Sequence, residues 1–236
     1  MTDRTPLIEI RDLAKQYGAA APLRIRHFTA GTSETVVLAG LDAGAAETFV
    51  HLVSGASVPE EGSVCIGGID TRTIATDADW LASLDQFGIV TNRAIFIEAL
   101  PVASNMALPL TVAIDPLSVE MRAEVERLAR LVQLSAARLD VPIGTLSPAE
   151  RLRVHLARAF APKPGVILLE RPTVGLADRH ERTAFGRVLK EAASQQGCGF
   201  VAIADDADFA RASGGRRLTL DAATGKISRA TRWWRP

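Results

Sequence analysis

The 236-residue sequence has little of several features that would assign it to a functional class. Aromatic residues make up 5% of it, which argues against a surface that stacks nucleic-acid bases. Its 27 basic and 27 acidic residues cancel, so no net charge favours nucleic acid or an anionic membrane as a partner. The sequence contains neither a signal-peptide pattern nor an apolar run of transmembrane length. We therefore expect a cytoplasmic protein that is at most peripheral to a membrane.

Residues that bind metals are also scarce. The two cysteines, Cys65 and Cys198, lie in strand-like segments without the spacing of a metal site, and we interpret them as buried thiols. The four histidines are scattered without ligand spacing. The sequence therefore predicts no metal site.

What the sequence does contain is an alternation of strand and helix patterns. Residues 6–13 and 23–30 alternate apolar and polar side chains like half-buried antiparallel strands. Apolar runs typical of buried parallel strands occur at Val36–Leu38, Phe87–Thr91 and Gly165–Glu170. We predict an α/β fold, organised as one domain over residues 1–236, with a mostly parallel sheet, an antiparallel β subdomain and an inserted helical lobe at roughly residues 104–160.

The segment Val36–Gly55 has the order strand, glycine-containing turn and helix, with the helix expected to begin at about residue 45. A nucleotide-binding P-loop, with the pattern G-x-x-x-x-G-K-[ST], occurs in that setting. If the pattern starts at Gly40, its lysine falls on Ala46 and its hydroxyl on Glu47. The frame of a phosphate loop is therefore present, whereas the groups that perform its chemistry are not.

Four stretches resemble the nucleotide-binding domains of ABC transporters, in the branch of lipoprotein-release and macrolide exporters. They are "LAGLDAGAAETFVHLVSG", "PEEGSVCIGGID", "SNMALPL" and "LSPAERLRVHLARAFAPKPGVILLERPTVGL". The stretches occur in the family's order and spacing, and the likeness covers nearly the whole chain. The resemblance implies a P-loop NTPase-type core for the predicted α/β fold.

The resemblance also places a vestigial nucleotide pocket on this chain. In the family, the residues corresponding to Ala46 and Glu47 are the lysine on the phosphates and the hydroxyl on magnesium, and the residue corresponding to Arg171 is the catalytic glutamate. A guanidinium has no acceptor and stays protonated, so Arg171 cannot act as a base. The full set of positions is Tyr17, Gly40, Gly44, Ala46, Glu47, Thr48, Asn92, Glu170, Arg171 and Asp205.

The signature motif departs from the family in a similar way. It corresponds to Ser147, Pro148, Ala149 and Glu150. Pro148 and Ala149 replace two glycines whose bare backbone approaches phosphate across a dimer, and Pro148 also lacks an N–H.

Three of these positions also have ordinary structural interpretations. Ser147 is equally well explained as a helix cap. Glu47 has the alternative of a first-turn residue that stabilises its helix dipole. Tyr17, where the family places an aromatic on adenine, has the alternative of an ordinary tyrosine at a strand end.

Together, the resemblance and the departures predict a homologue of an ATP-binding subunit that has lost its catalytic groups. We expect no independent ATP hydrolysis, and weak or absent binding of ATP and Mg²⁺. The resemblance implies that its partners would be a transporter membrane subunit, a second nucleotide-binding subunit, or both. It also implies a position at the inner face of the cell membrane, with membrane contact only through the partner. The alternatives are an ATPase that works only in a heterodimer, against which Pro148 and Ala149 count, and a repurposed ligand-binding module.

Two more expectations concern arginines and tryptophans. Arg171 is expected to neutralise Glu47 and Asp205, with Glu170 competing for the same guanidinium. In the C-terminal tail, residues 230–236, Trp233 and Trp234 are flanked by arginines, a composition enriched at interface hot spots. This tail is expected to dock on another chain.

Overall fold

The computed structural model describes residues 6–19 and 21–229, and within them strands and helices alternate along the chain. The strands are β1 (Ile8–Lys15), β2 (Leu23–Ala30), β3 (Thr35–Ala39), β4 (Glu61–Ile66), β5 (Ile69–Asp70), β6 (Phe87–Val90), β7 (Val166–Glu170), β8 (Gly199–Ile203), β9 (Arg216–Asp221) and β10 (Lys226–Arg229). The α-helices are α1 (Ala43–Val53), α2 (Asp77–Leu84), α3 (Val102–Ala107), α4 (Val119–Leu131), α5 (Pro148–Phe160), α6 (Arg179–Gln196) and α7 (Ala207–Ser213).

The strands form two sheets. Four of them make an antiparallel sheet in the order β2-β1-β4-β5, and six make a sheet in the order β10-β9-β3-β8-β7-β6. In the larger sheet β9, β3, β8, β7 and β6 run parallel, and only β10 is antiparallel to its neighbour. The expected combination of a mostly parallel sheet, an antiparallel subdomain and helices is confirmed.

The apolar runs form strands of the larger sheet, with β3 and β7 in its interior and β6 at its edge. Every residue of β7 and β8 is buried, because helices cover both faces of these two strands. Polar side chains in this part of the sheet are therefore confined to the strand ends, which is where Glu170 lies.

The helical region is less continuous than its sequence pattern suggests. The sequence pattern from Ser104 to Leu139 indicates helix, but α3 and α4 are separated by residues 108–118. Two prolines in this connection, Pro109 and Pro116, disfavour helix because each lacks an N–H and fixes its own φ. Buried side chains of α3, α4 and α5 contribute to the core cluster that also covers one face of the parallel sheet.

None of the helices in residues 6–19 and 21–229 is both long enough and apolar enough to span a bilayer. The tail that carries Trp233 and Trp234 lies outside the described residues, so its docking role stays a prediction.

Candidate functional site

The predicted pocket residues converge on one edge of the parallel sheet. Parallel strands present their carboxyl ends at the same edge, which is where α/β proteins bind ligands. Gly40 follows β3, Asn92 follows β6, Glu170 ends β7 and Asp205 lies two residues beyond β8. The structure therefore brings together positions that are up to 165 residues apart, and the Gly40 N–H donates to Asp205 Oδ1 at 2.9 Å.

Helix α1 begins two residues earlier than its sequence pattern predicts, inside the stretch that matches the phosphate-loop pattern. Asp42 is its N-cap, with Oδ1 accepting the Ala45 N–H at 2.8 Å. The Ala46 N–H donates to the Asp42 carbonyl at 2.9 Å, so the helical hydrogen bonds have already started there. Backbone groups that a phosphate loop leaves open are consequently used by the chain itself.

The early start of α1 changes the interpretation of Glu47. It is the fifth residue of the helix, so the proposal that it stabilises the helix dipole from the first turn is wrong. Asp42 performs that role instead, since its carboxylate stands directly at the helix N-terminus. Ala46 is completely buried, and Thr48 is half-buried on the same helix.

Tyr17 lies against the start of α1. A Cβ atom at Gly44 would stand only 2.8 Å from Tyr17 Cδ2, so the ring contacts the backbone there. The Tyr17 hydroxyl donates to Asp42 Oδ2 at 3.2 Å, and burial together with the Asp42 charge raises the pKa of Tyr17. In this conformation the aromatic ring covers the loop.

Arg93 connects two carboxylates at the centre of the site. Its Nη1 lies 2.7 Å from Glu47 Oε1, and its Nη2 lies 2.6 Å from Glu170 Oε2. The Glu170 side chain is only 9% exposed, and burial raises its pKa above the usual range even though Arg93 opposes that shift. The nearby Glu47 charge raises the same pKa further. Two acidic groups thus share one built-in cation.

The expected bridge through Arg171 is not formed. Among the ion pairs of residues 6–19 and 21–229, none joins Arg171 to Glu47 or Asp205. Arg171 has a left-handed backbone with φ of 45°, and its N–H donates to the Ile203 carbonyl at 2.9 Å. Its side chain lines a separate hollow of about 290 Å³ that Asp205 and Arg182 also line. Arg93, from the neighbouring strand end, supplies the cation instead.

The signature positions form the beginning of α5. Ser147 Oγ accepts the Glu150 N–H at 3.3 Å while Glu150 Oε2 accepts the Ser147 N–H at 2.9 Å, which is a capping box. Glu150 also accepts from Arg138 Nε at 2.8 Å. Pro148 occupies the first helical turn, and Ala149 packs against the helical core. The interpretation of Ser147 as a helix cap is confirmed by this geometry.

A second hollow, of about 490 Å³, opens between the segment after β6 and helix α5. Phe96 forms part of its lining, stacked on His155 with ring centroids 4.1 Å apart. Burial, together with the neighbouring Arg158 and Arg151, lowers the pKa of His155 to about 4, so this ring is neutral at pH 7. Ile95 is 81% exposed at the rim. This hollow is lined by Asn92, Ala94, Ile95, Phe96, Glu98, Pro148, Arg151, Leu152, His155, Pro172, Gly175 and Leu176.

The described residues include no group of three or more His, Cys, Asp or Glu side chains that could hold a metal ion. Sequence reasoning did not identify Arg93, for which the only sequence clue is a cation directly after Asn92. It also missed Asp42, although an aspartate immediately before an apolar helical segment is a recognised N-cap pattern.

This architecture defines an ATP-binding cassette, in which a P-loop-type core carries an antiparallel sheet and helices. A family model described as "ABC transporter" matches residues 23–174. The chain belongs to the ABC transporter family.

Curated relatives cover most of the chain. Methionine import ATP-binding protein MetN of Brucella abortus is 28% identical over 217 residues, which are 92% of this chain and 58% of that relative. The chain thus spans less than two thirds of MetN. Lipoprotein-releasing system ATP-binding protein LolD of Bordetella pertussis is 27% identical over 224 residues, covering 93% of this chain and 95% of LolD.

Solved structures show the same fold. The dimeric structure of MJ0796, a bacterial ABC transporter cassette, matches with a TM-score of 0.76 at 22% identity, covering 95% of this chain and 99% of that chain. The structure of cbiO1 from Clostridium perfringens, part of the ABC transporter complex cbiONQ, matches with a TM-score of 0.76 at 17% identity, covering 94% and 87%.

Proposed function

We propose that this chain is a non-catalytic member of the family, a structural or regulatory subunit that docks on a membrane permease or on an active ATPase partner. The observation that carries this proposal is the Glu47–Arg93–Glu170 bridge, because charges of the chain itself occupy the place where the family handles Mg²⁺ and nucleotide.

The start of α1 does not fit a triphosphate. Phosphate loops bind their ligand through free N–H groups at a helix N-terminus. Here the Asp42 carboxylate already accepts one of these N–H groups, from Ala45. A phosphate placed ~4 Å from that carboxylate would meet a repulsion of about 4 kcal/mol at an effective dielectric of ~20. Ala46 supplies no charge to offset it, and its side chain is buried.

The metal position does not fit Mg²⁺ bound to nucleotide either. Mg²⁺ in phosphate sites is coordinated by oxygen ligands at about 2.0–2.1 Å together with several waters. The two carboxylates that would face it are held by separate nitrogens of the Arg93 guanidinium, at 2.7 and 2.6 Å. Without loss of that ion pair, there is no room for a second cation between Glu47 and Glu170.

The end of β7 also lacks a group that could activate water. Arg171 remains protonated and offers no acceptor. Glu170, one residue earlier, is buried and paired with Arg93. A missing lysine could be compensated by another cation, but a missing base at the same time leaves no route to hydrolysis.

The hollow between the segment after β6 and helix α5, which we call the partner-facing hollow, supports the docking part of the proposal. Its rim is exposed and apolar at Ile95, and the stacked rings of Phe96 and His155 lie below. Beside them, Arg151 donates two hydrogen bonds to the Glu98 carboxylate at 2.8 and 2.9 Å, so the opposite charges of these two side chains are paired. Such a surface suits an apolar side chain of a partner helix. We propose that a cytoplasmic segment of a membrane permease occupies it, which would place this chain at the inner face of the cell membrane.

The nucleotide part is tested by calorimetry. Titration of the purified protein with ATP and MgCl₂ is expected to show weak binding or none, with any dissociation constant above about 10 μM. The LolD protein of Bordetella pertussis serves as the positive control for the assay. An Ala46→Lys variant is expected to remain without ATPase activity, because Arg171 still supplies no base. A dissociation constant below about 10 μM, or turnover that persists through purification, would contradict the proposal.

The docking part is tested by one exposed substitution. Ile95→Asp is expected to weaken association with native membranes at least about tenfold, since a carboxylate would then be desolvated in the contact. Ile69→Asp is the matched control, because Ile69 is 60% exposed on the antiparallel sheet and does not line this hollow. Equal membrane association of both variants and the wild type would rule out the hollow as the docking surface.

A further inference from the structure

Arg93 connects three elements of the fold. It lies in the turn after β6, where its N–H donates to Thr91 Oγ1 at 3.2 Å. Because β6 lies beside β7, with Val90 opposite Leu169, this turn places Arg93 next to Glu170. Its second nitrogen reaches Glu47 on α1. One side chain therefore joins the helix of the loop, the central sheet and the segment that leads to the helical region.

The carboxylates of Glu47 and Glu170 together form a cation site, and the cation in it is the guanidinium of Arg93. Burial and the Glu47 charge both raise the pKa of Glu170, so the acidic pair would repel itself without a partner. A guanidinium balances one of the two charges, whereas a divalent cation would balance both. Removing Arg93 should therefore convert the pair into a site for a divalent cation.

The segment that carries Arg93 continues directly into the partner-facing hollow. The Ile95 carbonyl accepts from Arg158 Nη1 at 2.9 Å, and the Ile97 N–H donates to Asn105 Oδ1 at 2.9 Å. These bonds fix residues 95–97 to the helical region, and Arg93 fixes the start of the same segment to α1 and β7. The shape of the hollow thus depends on anchors at both ends.

We propose that Arg93 is a built-in replacement for the divalent cation of a nucleotide complex, and that it holds the partner-facing hollow in one shape without any ligand. This inference rests on the proposed non-catalytic function, because it explains how such a subunit keeps its docking surface when no nucleotide binds. Arg93 is a positioning residue: it acts on the hollow through the segment it anchors. Partner association should consequently be constitutive and indifferent to ATP.

Hydrogen exchange of the full chain tests the inference. In Arg93→Ala, the hydrogen-bonded amides within residues 94–98, those of Ala94 and Ile97, are expected to exchange at least about tenfold faster than in the wild type, because one anchor of the segment is lost. Millimolar MgCl₂ should restore slow exchange in this variant by bridging Glu47 and Glu170. The wild type should not respond to MgCl₂, since Arg93 already occupies the site.

Three further variants separate charge from packing. Arg93→Gln removes the charge but keeps a long polar side chain, and its amides should exchange as fast as those of Arg93→Ala, so it carries the test if Arg93→Ala fails to fold. The double variant Arg93→Ala/Glu47→Gln lacks one carboxylate and should lose the response to MgCl₂. Arg187→Ala removes an exposed arginine of α6 that takes no part in these contacts, and it should match the wild type.

Unchanged exchange at residues 94–98 in Arg93→Ala would overturn the positioning role. Faster exchange that MgCl₂ does not reverse would overturn the inference that Arg93 replaces a divalent cation. Neither result bears on nucleotide binding. Tight binding of ATP and MgCl₂ to the wild type would instead overturn the proposed function, so the two failures are distinguishable.

Discussion

The free energy of unfolding is expected to fall by about 3 kcal/mol between pH 7 and pH 4 through His155 alone. The folded protein holds the pKa of this imidazole at about 4, chiefly by burial, against an ordinary value of 6.5. As the pH falls through 6.5, His155 binds a proton in the unfolded chain but stays neutral in the folded protein. Stability is therefore lost from about pH 6.5 downward, and the loss is complete near the folded pKa of about 4.

Urea denaturation at a series of pH values measures this effect. His155→Phe keeps an aromatic ring against Phe96 but removes the titration, so its unfolding free energy should lack this part of the decline. His180→Gln, at an exposed position of α6, is the control and should follow the wild-type profile. If His155→Phe loses as much stability between pH 7 and pH 4 as the wild type, the buried neutral histidine is not the cause.

Replacing Gly40 with alanine is expected to destabilise the protein by more than about 3 kcal/mol. Gly40 has φ of 88°, a left-handed conformation, and a Cβ atom there would stand 2.3 Å from the Leu220 carbonyl oxygen of β9. Backbone atoms on both sides of this contact would have to move, which would also disturb the Gly40 N–H bond to Asp205. Chemical denaturation of the variant measures the loss.

Gly44→Ala, in the first turn of α1, is the matched control within the same segment. A Cβ atom at Gly44 would meet the ring edge of Tyr17 at 2.8 Å, but this half-buried side chain can rotate away. Alanine is also better than glycine inside a helix by about 1 kcal/mol, so the two effects oppose each other and the net change should be below about 1 kcal/mol. Both glycines fall within the stretch that resembles a phosphate loop. A large loss for Gly40 alone would show that packing against β9 retains it, whereas equal losses would contradict that view.

The parts of the fold that the sequence predicts best are those with local causes. The run Gly165–Glu170 predicts a strand covered on both faces, and β7 is completely buried. Ser147 predicts a helix cap, and the structure forms a capping box there with Glu150. In both cases, neighbouring residues carry all the information, so no distant contact is needed to place the element.

The start of α1 shows where a pattern taken from a family is less reliable than local chemistry. The phosphate-loop frame favours a loop up to about residue 45, whereas the Asp42 carboxylate caps a helix that starts at Ala43. The loop pattern predicts backbone N–H groups that are free to donate hydrogen bonds to an external anion. Asp42 supplies an internal one, so the backbone closes into a helix.

By itself, the sequence predicted the family and the buried strands β3, β6 and β7, and it places Ala46, Glu47 and Arg171 where the family pattern has a lysine, a hydroxyl and a glutamate. Only the tertiary structure decided which cation neutralises the acidic groups. Arg171 is adjacent to Glu170 in sequence, but its backbone turns left-handed and its side chain lines another hollow. Arg93 lies 77 residues from Glu170 and yet contacts it, because the sheet places β6 beside β7. Strand adjacency depends on how the whole core packs, so an ion pair between two strand ends has no local sequence pattern that could predict it.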